Sequence, residues 1–136
     1  MDFNKTLTIS AAGLNAQAVR LRVISENLAN ADSTAATPGG EPYRRKTVTF
    51  KHVLDRASGA ETVGVGGTRP ATGDFERRYD PSHPAADNDG YVLMPNVNPL
   101  VEMMDMREAQ RGYQANLTVI DAAKSMISRT IDLLHG

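Results

Sequence analysis

The sequence of 136 residues contains no cysteine and no tryptophan, and aromatic residues make up only 5% of it. The absence of cysteine excludes disulfide frameworks, thiolate zinc sites, iron–sulfur clusters and cysteine nucleophiles. Because aromatic residues usually supply much of the bulk of a compact core, their scarcity argues against a large one. The length fits one ordinary domain, or one small domain carried on helical arms.

The chain also lacks an excess of either charge. Fifteen Lys and Arg residues face sixteen Asp and Glu residues, which gives a formal net charge of −1. Nucleic-acid binders normally carry a basic excess, so this class is excluded. No stretch approaches the roughly 18–20 apolar residues that span a bilayer. The N-terminal residues lack the basic start and apolar block of a cleaved secretory signal, which predicts a cytosolic protein or one exported with its N-terminus intact.

Proline is missing from both ends of the sequence. All seven prolines lie between Pro38 and Pro99, and eight of the eleven glycines lie in the same middle part, within residues 31–98. Since proline breaks helices and glycine weakens them, the chain reads as helix, irregular or β middle, and helix. The predicted parts are an N-terminal helix and its exit (1–34), a loop and small β-rich unit (35–97), and a C-terminal helix (98–136), the two helices forming one α domain.

Residues 3–30 have the apolar spacing of a long helix. Leucine recurs every seven residues, Ala11 and Ala18 fall on the same face, and Ile24 widens the stripe. Heptads sustained in this way predict a coiled coil, although a core helix of a small bundle has the same periodicity. A helix of this length spans about 40 Å. The leucine row consists of Leu7, Leu14, Leu21 and Leu28.

A second long helix is predicted from residue 98 onward. Asn98 is a good N-cap, and Pro99 suits the first helical position. Apolar residues then recur every seven positions, which predicts a helix of about 35 residues and about 50 Å. This main row consists of Met106, Tyr113, Ile120, Ile127 and Leu134.

A second row of apolar residues widens the apolar surface of the C-terminal helix beyond the narrow stripe, or seam, that the main row forms. Val119, Met126 and Leu133 each precede a member of the main row by one position. One antiparallel partner helix covers a single stripe, so the surplus predicts contacts with neighbouring subunits. Asn116 lies on the seam, where a polar residue either fixes register and partner number or makes a local hydrogen bond without such a role.

The middle of the chain reads as a small antiparallel β unit with long loops. Residues 43–54 are rich in β-branched and aromatic side chains and predict a strand. Weaker strand candidates are residues 61–65, 73–79 and 90–94, a flexible loop is expected at 31–41, and the DNDG sequence at 87–90 predicts a turn.

No motif in the sequence supports catalysis or ligand binding. The three histidines are scattered, and none has the spacing of a metal-binding pair. DNDG shares a fragment with calcium loops but lacks their spacing and terminal glutamate, so the turn is favoured. The basic clusters at residues 44–46 and 77–78 are explained by solvated strand faces or by ion pairs between subunits. We therefore expect no enzyme, no metal site and no cofactor.

The N-terminal segment ISAAGLNAQAVRLRVISENLANADST resembles the signature of the flagellar rod, hook and filament-axis proteins. In that family a helix carries Ser-x-x-Gly-Leu-x-Ala and ends in Asn-x-x-Asn-x-x-Thr. The matching residues here are Ser10, Gly13, Leu14, Ala16, Asn27 and Asn30, with the hydroxyl residue shifted to Ser33 or Thr34. The segment YRRKTVTF, residues 90–134 and above all Pro95–Pro99 resemble the basal-body rod proteins in particular.

The resemblance implies a structural protein of the bacterial flagellum. Such proteins are exported through the flagellar type III export apparatus without cleavage and assemble in the periplasm into a tubular rod. The implied partners are other rod proteins, the protein that links the rod to the inner-membrane ring, that ring itself and further copies of the chain. Nucleic acids and small-molecule substrates are not among them.

We thus expect an α+β fold in which long antiparallel N- and C-terminal helices form a coiled-coil pair with the β unit inserted between them. The expected function is a rod subunit that polymerises through these helices into a drive shaft for torque and encloses the export channel. The alternative is a soluble coiled-coil adaptor that forms a closed oligomer. The residues expected at the assembly interface are Leu7, Leu14, Leu21, Ile24, Leu28, Tyr113, Asn116, Leu117, Ile120, Met126, Ile127, Ile131 and Leu134.

Overall fold

A computed structural model describes residues 2–136 and places a long helix near each end of the chain, with four strands between them. In chain order the elements are α1 (Phe3–Ala29), β1 (Lys46–Asp55), β2 (Ala60–Pro70), β3 (Glu76–Tyr79), β4 (Tyr91–Met94) and α2 (Pro99–His135). Two helices and small antiparallel sheets confirm the α+β class. Neither helix is long and apolar enough over the described residues to cross a membrane.

Both helices begin at side-chain caps. The carboxylate of Asp2 accepts the backbone N–H of Asn4 at 3.0 Å and that of Lys5 at 3.2 Å. The Asn98 side-chain oxygen accepts the N–H of Leu100 at 3.1 Å, as predicted. Its carbonyl oxygen accepts the N–H of Glu102 at 3.0 Å, which closes the first turn of α2. Each cap satisfies backbone donors that have no partner within the helix.

The chain divides into two compact units that each combine several segments. The first unit contains the chain up to Leu21, Val48–Gly67 and Arg107–Gly136. The second unit contains Arg22–Thr47 and Thr68–Met106. The buried apolar residues of the first unit are small, namely Ala16, Ala60, Ala109 and Ala123, whereas those of the second are Val23, Ile24, Val92 and Met94.

The strands form two separate two-stranded sheets, β1–β2 and β3–β4, rather than the single β unit expected. The second sheet is antiparallel, with Glu76 opposite Met94 and Tyr79 opposite Tyr91. In the first sheet, the Thr49 hydroxyl donates to the Gly67 carbonyl at 3.4 Å, and the Thr62 hydroxyl donates to the Val53 carbonyl at 2.9 Å. Partner numbers fall along β2 as they rise along β1, which is the pattern of an antiparallel hairpin.

Strand β2 is longer than the predicted residues 61–65 because its glycines are needed for close packing. A Cβ atom at Gly64 would lie 2.8 Å from the Val53 side chain, and one at Gly66 would lie 2.9 Å from that of Thr49. Glycine in a strand often marks such a close approach, so it does not end β2 here. Strand β1 begins at Lys46 instead of residue 43.

The predicted turn at residues 87–90 is confirmed. The Asp87 carboxylate accepts the backbone N–H groups of Asp89 and Tyr91, both at 2.9 Å. These bonds, that from Tyr91 above all, hold the pKa of Asp87 below its ordinary value. Gly90 has a φ of 85°, a conformation that side chains with a Cβ rarely adopt.

We predict that Asn98→Ala lowers the free energy of unfolding by about 1 kcal/mol, because the first turn of α2 loses its cap. Urea unfolding followed by far-UV circular dichroism measures the change. Asn15→Ala is the matched control, because Asn15 is exposed within α1 and should cost nothing. Equal stability of the two variants would show that the cap does not stabilise α2.

Candidate assembly interface

In the first unit, α1 and α2 approach closely where small residues replace large ones. A Cβ atom added at Gly13 would lie 2.7 Å from the Asn116 amide nitrogen, and one added at Gly112 would lie 3.0 Å from that of Gln17. These spacings are shorter than a normal van der Waals contact, so the two glycines are what admit the two amide side chains. The partner numbers again fall along one helix as they rise along the other.

The small residues at this contact differ from those expected. Ala11 and Ala18 are exposed, whereas Gly13 and Ala16 are buried. The reason is that the stripe buried within the chain is centred about a quarter of a turn away from the leucine row, on Ser10, Ala16, Val23, Ile24 and Asn27. The leucine row is therefore left on the flank of this stripe, neither fully buried nor fully exposed.

The structure places the predicted interface residues in three environments. Ile24 alone among them is buried within the chain. Half-buried positions are Leu7, Leu14, Leu21, Leu28, Asn116, Leu117, Ile120 and Ile127, and exposed positions are Tyr113, Met126, Ile131 and Leu134. Most of the set thus retains accessible surface on the single chain. Their role in assembly stays a prediction.

The second apolar row of α2 is exposed along its whole length. Val119, Met126 and Leu133 are 42%, 45% and 84% exposed. A further apolar patch, which the sequence reading did not single out, covers the start of α2 in the second unit with Leu100, Val101, Met103 and Met104. Exposed apolar side chains gathered along helices in this way are typical of interaction surfaces.

Asn116 makes the local hydrogen bond that was one of its two predicted roles. Its side-chain amide donates to the Gly112 carbonyl one turn earlier, at 3.0 Å. It also fills the space beside Gly13. An additional role in fixing register stays a prediction.

A polar cluster, consisting of Asn27, Tyr43, Arg45 and Glu102, connects the segments of the second unit, and its Asn27 and Glu102 are buried. The Arg45 guanidinium donates to one oxygen of Glu102, and the Asn27 amide lies 3.4 Å from the other. Tyr43 donates its hydroxyl proton to Asn27 at 2.8 Å. Burial raises the pKa of Tyr43 above its ordinary value, so it remains a neutral donor at physiological pH. The cluster connects α1, the segment before β1, and α2.

Glu102 lies in the first turn of α2, where its charge suits the helix dipole, yet its side chain is completely buried. A signal for this burial was present, because Glu102, Ala109, Asn116 and Ala123 recur every seven residues. Ala109, Asn116 and Ala123 lie on the small and polar stripe of α2 that faces inward, so their shared spacing with Glu102 could have indicated that it lies there as well. A buried carboxylate then requires a cation, which Arg45 supplies.

The basic cluster at residues 44–46 has partners within the same chain. The Arg45 guanidinium also lies 3.7 Å from the Asp105 carboxylate, and the Lys46 ammonium lies 3.3 Å from the Glu26 carboxylate. Arg44 stacks on the Phe75 ring, 4.3 Å from its centroid. The ion pairs between subunits that the sequence suggested are therefore not needed to explain these residues.

The Asn-x-x-Asn motif shapes the exit of α1. The Asn30 amide donates to the Glu26 carbonyl at 2.8 Å and accepts the Ser33 hydroxyl at 2.9 Å. The Ser33 carbonyl then accepts the N–H of Tyr43 at 2.9 Å. These bonds bring Tyr43 back beside Asn27, so the motif positions one member of the polar cluster against another.

Two family models match the sequence. A model of flagella basal body rod proteins matches residues 7–36, and a model of the C-terminal part of the FlgEFG basal body rod proteins matches residues 88–133. Curated relatives named flagellar basal-body rod protein FlgC come from several bacteria. That of Agrobacterium fabrum is 56% identical over 94% of this chain and 92% of its own length. That of Salmonella typhimurium is 42% identical over 92% of this chain and 92% of its own length. That of Bacillus subtilis is 40% identical over 94% of this chain and 95% of its own length.

The fold and these matches define a structural subunit of the flagellar basal-body rod, a class that is not enzymatic. Identities of 40–56% over nearly the whole chain narrow this class to one member. The chain belongs to the FlgC family of basal-body rod proteins.

We predict that Glu102→Gln lowers the free energy of unfolding by about 2–3 kcal/mol, because Arg45 loses its buried counter-charge. Chemical denaturation measures the loss. Glu108→Gln is the control, because the Glu108 side chain is 71% exposed in its 3.4 Å pair with Arg20 and should contribute about 0.5 kcal/mol or less. A loss for Glu102→Gln no larger than that of the control would contradict the role of the cluster.

Proposed function

We propose that the chain polymerises through its terminal helices into the proximal part of a tubular rod, which transmits torque and encloses the channel for later subunits. The observation that carries this proposal is the amount of surface left uncovered. Large apolar side chains along α2 remain exposed on the single chain, among them Leu100, Met104, Met126, Leu133 and Leu134. Exposed apolar surface of this kind is typical of contacts with other subunits.

The pairing of the terminal helices as an antiparallel coiled coil is part of the proposal. In the first unit, Gly13 lies near Asn116, Gln17 near Gly112, and Arg20 near Glu108. In the second unit, Asn27 lies near Glu102. In the three pairs of the first unit the residue numbers add to nearly the same value, as they do along antiparallel helices in constant register.

The three-part division of the sequence, 1–34, 35–97 and 98–136, accompanies this pairing. The helical parts form the polymerising α domain. A drive shaft must resist twisting, and close-packed helices with lateral contacts to several neighbours provide that stiffness. A contact that joins different patches on two copies generates an open helical assembly rather than a closed dimer.

The proposed partners follow from the same geometry and from the relatives. Further copies of the chain and other rod proteins would cover the exposed helix faces. The protein that links the rod to the inner-membrane ring would provide the base of the assembly. Export through the flagellar type III apparatus, without a cleaved signal, would deliver the chain to the periplasm.

Ile127→Asp tests the proposal in cells. We expect the variant to be expressed at a normal level but to abolish swimming and to be absent from isolated basal bodies, because an interface would bury an unpaired charge. Motility plates and immunoblots of purified basal bodies provide the two measurements. Ser128→Asp is the matched control, because Ser128 is exposed on the neighbouring position of α2.

Wild-type motility of Ile127→Asp would refute the role of this helix face.

Sedimentation of the purified chain distinguishes a rod subunit from the alternative, a soluble coiled-coil adaptor. A rod subunit sediments as a monomer and assembles only with other rod components, whereas an adaptor forms a discrete and stable oligomer.

A further inference from the structure

The first unit contains an apolar groove at the start of α1. Its walls are Phe3 and Thr6 from α1 and Val119, Ala122 and Met126 from α2, and its volume is about 270 Å³. Its floor is Ala123, which is buried. Since its walls are mostly apolar and its rim is open, the groove fits a large aliphatic side chain from outside.

The end of α2 extends beyond the start of α1. Phe3, the first helical residue of α1, shares the groove with Met126. The rest of α2, residues 127–135, continues for about 13 Å past that point. Its Leu133 and Leu134 are 84% and 81% exposed, more than any other large apolar residue among the described part of the chain. We refer to residues 127–135 as the overhang.

The overhang cannot fill the groove of its own chain. Leu133 and Val119 lie on the same helix, fourteen positions apart, which corresponds to about 21 Å along a continuous helix. An apolar groove and an exposed apolar segment that cannot meet within one chain can meet only between two chains.

We propose that the overhang of one copy docks into the groove of the next copy, with Leu133 and Leu134 against Val119, Ala122 and Met126. This inference rests on the proposed function and specifies one of its interfaces. A second copy is the occupant because one chain presents both halves of the contact. Such a contact would cover Leu133 and Leu134, the most exposed large apolar side chains of the described chain.

The contact is heterologous, since the two patches that meet are different. Each copy offers a free groove at one side of the contact and a free overhang at the other. Addition can therefore continue, which produces an open row of subunits instead of a closed pair. An isologous dimer through two overhangs would instead leave both grooves empty.

The absence of cysteine from the sequence makes the contact directly testable. Two single-cysteine variants, Ala122→Cys in the groove and Leu133→Cys in the overhang, are co-expressed in cells that lack their own copy. Basal bodies are isolated, oxidised and separated on a non-reducing gel. We expect a disulfide-linked dimer of this chain from the co-expressed pair and monomer from either variant alone. Thr37→Cys, in an exposed loop, replaces Ala122→Cys in the control pair and should give no dimer.

The experiment is repeated with Thr6→Cys and His135→Cys, so that a local effect of one substitution does not decide the result. A dimer from Leu133→Cys alone, a cross-link to a different rod protein only, or no cross-link in intact basal bodies would overturn the docking contact while leaving the proposed function in place. Absence of the chain from basal bodies of motile cells would instead refute the proposed function itself.

Discussion

The structure depends on one constraint: the large apolar side chains of α1 and α2 find too little cover within the chain. The largest fully buried side chains of the described chain are Glu102, Val92 and Asn27, of which only one is apolar. Most large aliphatic residues of the helices are therefore half-buried or exposed. The free energy that their burial would contribute, roughly 1.5–3 kcal/mol for each large side chain, is available only to an assembly.

Each of the two units is stabilised internally by a different kind of interaction. Glycine and alanine in the first unit allow backbones to approach closely, which leaves the bulky residues on the flanks and facing outward. The second unit is fixed by directional bonds around Glu102 and Asn27. Hydrogen bonds and ion pairs specify geometry without requiring a large apolar core. A small chain can in this way keep a defined structure and still reserve apolar surface for its neighbours.

Both helices and the α2 cap could be predicted because they follow from local rules, namely heptad spacing, the distribution of proline and the chemistry of Asn98. The buried face of α1 could not be predicted in the same way. The leucine spacing shows that α1 has an apolar stripe, but it does not show whether this stripe or an adjacent one is buried within the chain. The full length of β2 and the buried Glu102 also depended on tertiary contacts, of Gly64 with Val53 and of Glu102 with Arg45. Sequence periodicity does not identify such long-range pairs. When a buried stripe is followed residue by residue, it shows only which residues share the buried face.

The central claim is that the exposed face of α2 is covered only within the rod. A cryo-EM reconstruction of an intact basal body, at a resolution that shows side chains, measures this most directly. The account predicts that Met126, Leu133 and Leu134 lie buried against a neighbouring subunit. Finding the same side chains in contact with solvent in the assembled rod would contradict it.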